Sequence, residues 1–211
     1  MISKKVSPYN WQGLVEFVKK EHANENSGHG FVHIERTIEN ANNLAKRYKN
    51  IDFDILTASC LLHDIAFPSK GHKDHHINGE KIARKILPKY SFPKEKIEVI
   101  CSCVLNHVSA AYSVNNVLEK LPIEARILID ADNLDALGSV GIIRAIHFCV
   151  ANKIPYYVNG KKDGFNDSVY GTIQKIITWD KYLLTKEAKI IAKKRIKVME
   201  DFLKQLDIEF E

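Results

Sequence analysis

Residues 58–67, Ala58-Ser59-Cys60-Leu61-Leu62-His63-Asp64-Ile65-Ala66-Phe67, set an imidazole and a carboxylate side by side in an otherwise apolar run. The flanks read as a buried helix. An ionised carboxylate in such a place is costly unless something compensates it. Imidazole nitrogen beside carboxylate oxygen is also a donor set that satisfies a divalent cation. Neighbouring residues on a helix diverge by about 100°, so one ion reaches both only near an edge of the helix. A buried His hydrogen-bonded to a buried Asp, with no ion, accounts for the doublet equally well. Other donors elsewhere in the chain have to decide.

Outward from the doublet, nearly every segment has helical period and almost none alternates in twos. The pattern predicts helices over about 9–23, with Asn10 as cap, and about 31–49, with Ile34, Ile38, Ala41, Leu44 and Ala45 inward. Asp52 or Asp54 caps a third helix, which holds His63-Asp64 and ends before Pro68. A polar loop is expected over 68–75, then helices over about 76–88, 94–108, 122–136 and 139–151. The last of these is nearly all apolar and is expected to be central. Pro155, Gly160 and Gly164 mark a loop, and two more helices fill 166–206. The reading is all-α: one domain over residues 1–211, with a core at about 25–140 and additional C-terminal helices at about 166–206.

The 211 residues are enough for a real core, and 45% apolar with 27% charged residues is ordinary for a globular chain. A net charge of +5 suits an anionic substrate and is weak evidence for nucleic-acid binding, which is not expected. No apolar run reaches the roughly 18 residues of a membrane span. The N-terminus, Met1-Ile2-Ser3-Lys4-Lys5, has no apolar stretch after its lysines. The expectation is a cytoplasmic protein. Cys60, Cys101, Cys103 and Cys149 sit in apolar stretches and read as small buried hydrophobes. A zinc site at Cys101, Cys103 and His107 is disfavoured, because residues i and i+2 on a helix face apart.

Further donors exist. His33 is in register with Thr37, Ala41 and Leu44 on the core side of its helix. Beside a His-Asp doublet on the next helix it is a candidate ligand as well as a candidate core histidine. Asp130, Asp132 and Asp135 crowd one apolar helix, which is expensive without a cation or contacts such as Arg126 and Arg144. Periodicity alone does not choose between Asp130 and Asp132. His76 is in register with Gly79, Ala83 and Leu87, and His107 with Ile100 and Val104, so both can face the same interior. His75 is ambiguous; His22, His29, His72 and His147 read as surface or packing residues.

The order His33 … His63-Asp64 … Asp132 resembles the HD superfamily of metal-dependent phosphohydrolases. The stretch 33–41, His-Ile-Glu-Arg-Thr-Ile-Glu-Asn-Ala, is similar to its first motif, 61–66 to its second and 130–138 to its last. The last has the form common to a branch of small bacterial and archaeal members that includes nucleotide pyrophosphohydrolases. Lys175, Leu183-Leu184, Thr185, Ala192, Arg195, Met199 and Phe202-Leu203 extend the likeness to about residues 10–206. Just before the first His, many relatives carry Asp and Trp or Ser, where this chain has Gly28-His29-Gly30-Phe31-Val32.

The resemblance implies His33, His63, Asp64 and Asp132 as metal ligands, with Asp132 rather than Asp130 as the fourth. Some members add a second metal, and His76 and His107 resemble the histidines that hold it. Two imidazoles and two carboxylates leave open positions on the ion, as a catalytic site needs. The set suits Mn, Fe, Co, Ni or Zn, with Mg also in range. Phosphoryl transfer needs positive charge nearby: Arg36, one turn from His33, and Lys73 are candidates for the phosphate, although Glu35 or Glu39 can instead pair Arg36. Asp64 orients the attacking water, and His107 donates to phosphate or leaving group if it is not a ligand. The expected reaction is hydrolysis of a small phosphate ester or anhydride, a nucleotide above all. The rivals are a non-catalytic metal-containing nucleotide sensor and a dinuclear phosphodiesterase or oxygenase.

Overall fold

The structure, a computed structural model, describes residues 7–71, 73–108, 118–158 and 167–210. Among these, helices and turns account for all regular structure, and no strand is present. The N-terminal helices are α1 (Trp11–Glu21), α2 (Phe31–Ala45), α3 (Phe53–Leu62) and the single turn α4 (Phe67–Lys70). α5 (His75–Ile86), α6 (Lys94–Asn106), α7 (Ile123–Asp135) and α8 (Gly138–Ala151) follow, then α9 (Val169–Ile176) and α10 (Lys186–Phe210). Short 3-10 turns stand at Leu87–Tyr90, Leu118–Lys120 and Ile177–Tyr182.

Local chemistry sets several of these boundaries. Asn10 caps α1 by accepting from Gly13 N–H, and Asp52 caps α3 by accepting from the N–H groups of Asp54 and Ile55. α3 is apolar all round: Ile55, Leu56, Ala58, Ser59, Cys60, Leu61 and Leu62 are all buried. A helix without a polar face belongs inside, and α3 packs against α2, α6 and α7 at once. α2 lies along α7, and α5 lies along α6.

Two expectations are corrected. The third helix does not run through the doublet. It ends at Leu62, His63 is its C-cap, and the chain tightens into a turn held by Ile65 N–H to Leu62 C=O (3.1 Å) and Phe67 N–H to Asp64 C=O (2.8 Å). Pro68 then sits in the first turn of α4, where its missing N–H costs nothing, so the expected loop over 68–75 begins as a helical turn. The apolar α8 is not central either. Gly141, Ile142, Ala145 and Cys149 are buried, but Ile143 and Val150 are 56% and 71% exposed.

The C-terminal helices are tied to α7. Asp130, fully buried, accepts from the N–H groups of Leu184 and Thr185 at 2.7 Å each, just before α10. Arg195 of α10 reaches back to the Leu134 carbonyl and to Asn40 Oδ1, while Asn40 donates to the Ala131 carbonyl. The four cysteines are free and buried, as their apolar surroundings suggest.

Candidate metal centre

The fold brings three separate pieces of chain to one point. His33 comes from the first turn of α2, His63 and Asp64 from the turn ending α3, and Asp132 from the last turns of α7. His33, His63 and Asp64 are nearly inaccessible. His33 Nε2 lies 3.1 Å from His63 Nε2, 3.6 Å from Asp64 Oδ2 and 3.3 Å from Asp132 Oδ1. His63 Nε2 lies 3.4 Å from Asp64 Oδ2 and 4.0 Å from Asp132 Oδ1. Both side chains still reach one point, His63 from the C-cap of α3 and Asp64 from the turn that follows. The Asp132 side chain keeps 29% of its surface, so it marks the open side of the group.

The outer ring nitrogens say which atoms face inward. His63 Nδ1 donates to the Cys60 carbonyl at 2.8 Å, and His33 Nδ1 donates to Asp135 Oδ2 at 2.9 Å. Each imidazole thus spends its one proton outward and turns a bare Nε2 toward the other. Two lone pairs 3.1 Å apart, facing carboxylates, need a positive charge between them. Two neutral imidazoles and two carboxylates match a divalent ion in both donor type and charge.

Asp64 has two such faces. While Oδ2 fronts His33 and His63, Oδ1 lies 3.4 Å from His75 Nε2 and 3.6 Å from His107 Nε2. Those two nitrogens are 3.0 Å apart, and His107 Nδ1 donates to the Val104 carbonyl at 2.7 Å. Among the described residues, His33, His63 and Asp64 form one group able to share an ion, and Asp64, His75 and His107 form a second. His76, expected beside His107, belongs to neither, and His75 holds that place. The buried stripe of α5 is His75, Gly79, Ala83 and Ile86, with steps of four, four and three. Starting α5 one residue earlier than expected puts His75 on it. Gly79 permits the approach: a Cβ there would come within 3.2 Å of Val104 and 3.5 Å of the His63 carbonyl.

The electrostatics agree with a shared positive charge. Burial opposes ionisation of Asp64, but His63 and His107 outweigh it and hold the carboxyl well below its ordinary range. Asp132 is likewise lowered against burial, by its hydrogen bond to His33 and the charge of His63. Burial disfavours a charged His63, yet Asp64 and Asp132 raise it to about 9. Without a cation, a proton takes the vacant charge.

A supporting layer lies behind His33. Asp135 is fully buried and receives His33 Nδ1, Arg36 Nε at 2.6 Å and Arg144 at 3.2 Å. Burial raises its pKa, but these partners bring it below the ordinary range. Arg144 also donates to the Gly28 carbonyl at 2.8 Å, pinning the loop that leads into α2. Arg36 therefore pairs with Asp135 rather than Glu35 or Glu39, and its side chain remains one-third exposed. Lys73 stands exposed in the turn before α5, and His72 lies outside the described residues. His22 is a packing residue whose Nε2 meets the Asp64 backbone carbonyl at 3.1 Å. Periodicity gave no sign of Asp135 as a histidine-orienting group, because its partners come from α2 and α8. A cleft of about 610 Å³ opens beside this layer, with Lys19, His33, Arg36, Arg144 and His147 on its walls.

Residues 30–137 match the HD domain family model. Protein YpgQ of Bacillus subtilis, described as uncharacterised, is 26% identical over 184 residues, covering 87% of this chain and 85% of its own. Among solved structures, a Lactobacillus plantarum protein superposes with a TM-score of 0.73 at 21% identity, covering 94% of this chain and 95% of that one. YpgQ in complex with ADP gives 0.72 at 23% identity, covering 94% and 93%. An HD-superfamily hydrolase from Bacillus thuringiensis also gives 0.72, at 24% identity, covering 94% and 95%. The matched segment contains all four donors, and this chain belongs to the HD domain family.

Proposed function

We propose that the chain is a metal-dependent phosphohydrolase that cleaves a small phosphate ester or anhydride, with a nucleotide as substrate. The observation that carries this reading is the pair of bare Nε2 atoms of His33 and His63 converging with Asp64 and Asp132. These four would hold Mn, Fe, Co, Ni, Zn or Mg. A divalent cation bound there would acidify water and polarise a phosphoryl oxygen. Asp64 orients the attacking water. Arg36, held by Asp135 through Nε, presents its other N–H groups to substrate phosphate, and Lys73 is the second phosphate contact. His107 gives a proton to the departing oxygen when it is not itself a ligand. Support for a nucleotide comes from the basic cleft beside the centre and from the similar protein YpgQ, whose structure holds ADP. We take residues 1–211 as one domain of this type, in a cytoplasmic protein.

The test is metal analysis of the purified protein, then phosphate and pyrophosphate release from a nucleotide panel with Mn, Co, Ni and Mg. Asp132→Ala is expected to lower turnover by at least about a hundredfold, the scale of losing a key electrostatic group. Metal and nucleotide bound without turnover in the native chain would instead mean a sensor. A dinuclear phosphodiesterase is the second reading, favoured by the Asp64, His75 and His107 group. It requires close to two metals per chain, falling to one in His75→Ala.

A further inference from the structure

Arg36 and Val140 line the basic cleft and also a second pocket, of about 320 Å³. Ser139 lines it from α8, and Lys194, Arg195 and Val198 line it from α10. Three of its lining side chains are cationic, none is acidic, and none of the four candidate metal ligands reaches it. At about 10–15 Å³ per water, the space holds more than about twenty waters. An anion the size of phosphate or pyrophosphate enters it without moving a side chain.

Two of the cations are held from behind and are not used up. Arg36 gives Nε to Asp135 at 2.6 Å. Arg195 gives Nη1 to the Leu134 carbonyl and Nη2 to Asn40 Oδ1 at 3.0 Å, both neutral acceptors. The Arg195 stem is pressed against the start of α8: a Cβ at Gly138, whose φ is +80°, would come within 3.2 Å of Arg195 Cβ and Cγ. A guanidinium carries five N–H groups, so both arginines keep donors for a ligand. Burial lowers Arg195 from its ordinary range and Arg36 adds to that, against the pull of Asp135 and Glu39. The pocket is therefore short of negative charge. Fixed guanidinium forks match a phosphate oxyanion, and little ordering remains to be done when it binds. Lys194 stands exposed at the rim.

We infer that this pocket is a binding site for a phosphate-type oxyanion, held by Arg36, Lys194 and Arg195, beside the metal centre and separate from it. One chemistry has two sources here. The anion is either the far phosphate of a substrate whose nearer phosphate meets Arg36, or free phosphate or pyrophosphate. The first source rests on the proposed phosphohydrolase reading; the site itself does not.

Pyrophosphate is the probe, titrated by calorimetry into the full chain as purified and after chelator treatment. One saturable site is expected, and it should survive chelation because no metal ligand lines the pocket. Lys194→Glu should weaken binding about tenfold. Val198→Glu, which sets an acid at the rim and removes no cation, should weaken it too. Lys193→Glu makes the same charge change outside the pocket and should leave binding unchanged. All three positions are exposed on α10, and circular dichroism checks the fold of each variant. Binding that disappears on chelation would overturn the site. So would equal weakening in Lys193→Glu and Lys194→Glu, which would mean attraction by net charge only. Kinetics then separate the two sources, either of which upholds the site. A KM raised about tenfold in Lys194→Glu for a nucleoside triphosphate, and not for a monophosphate, assigns the far phosphate of the substrate. Unchanged KM values, with added pyrophosphate altering turnover of the native chain and not of Lys194→Glu, assign the free anion. Turnover without Lys194-dependent binding or kinetics would overturn the inference and leave the phosphohydrolase standing. Lys194-dependent binding, with no phosphate released from any compound, would sink the reaction and keep the site.

Discussion

The two faces of Asp64 look alike and are built differently. Oδ2 fronts two histidines and shares them with a carboxylate from α7, Asp132, and Asp135 with two arginines stands behind His33. Oδ1 fronts two histidines, His75 and His107, with Asp64 itself the only carboxylate in that group among the described residues. A cation on the first side meets more negative charge and a ligand already locked in place. The difference teaches that donor spacing alone does not rank two sites; the anions around and behind the donors do.

The strongest way to break the comparison is to remove what the faces share. Asp64→Ala should abolish metal binding on both sides and lower activity by about a thousandfold or more, the scale of losing a group central to transition-state charge. Metal analysis beside the kinetics checks it. Activity that survived with one metal retained would show that the faces are independent. Asp135→Asn probes the supporting layer, and should weaken metal affinity by about 10- to 100-fold while leaving the Oδ1 group intact. Titration with a competing chelator measures it, with His75→Ala as the control that should leave the Oδ2 side unchanged.

The mildest probe is pH. The folded His63, raised to about 9 by Asp64 and Asp132 against the opposing burial, binds a proton that a cation must displace. Metal affinity should therefore climb by up to about tenfold per pH unit toward about pH 9 and then level off. The metal-free protein should move the other way. Its folded pKa lies above the unfolded one, so this stabilisation is complete below the unfolded value of about 6.5 and is lost as pH rises through about 9. Thermal unfolding of chelator-treated protein across pH 6–10 measures that loss.

Much of this was legible in the sequence. His33, with Thr37, Ala41 and Leu44 in step behind it, had to face inward, and the apolar run around His63-Asp64 had to be buried. The three aspartates of α7 resisted because their roles are fixed from outside the helix. Asp130 meets the start of α10, Asp132 meets His33 and His63, and Asp135 meets His33, Arg36 and Arg144. The sequence favoured His76, in step with Gly79, Ala83 and Leu87, over His75, because steps of three and four both fit one stripe; the buried stripe runs through His75 instead. Nothing local in residues 139–151 marks which apolar face of α8 stays in solvent.

The clasp of Asp130 on the backbone of Leu184 and Thr185 reaches beyond the metal centre. A shortened gene ending at residue 137, the border of the family match, would strand a buried carboxylate without its two N–H donors and leave Asn40 without Arg195. Burial raises the Asp130 carboxyl above its ordinary range, and the hydrogen bonds from Leu184 and Thr185 work against that rise. The C-terminal helices are therefore not a detachable appendix, and any effort to trim the protein to a minimal catalyst has to replace that clasp first.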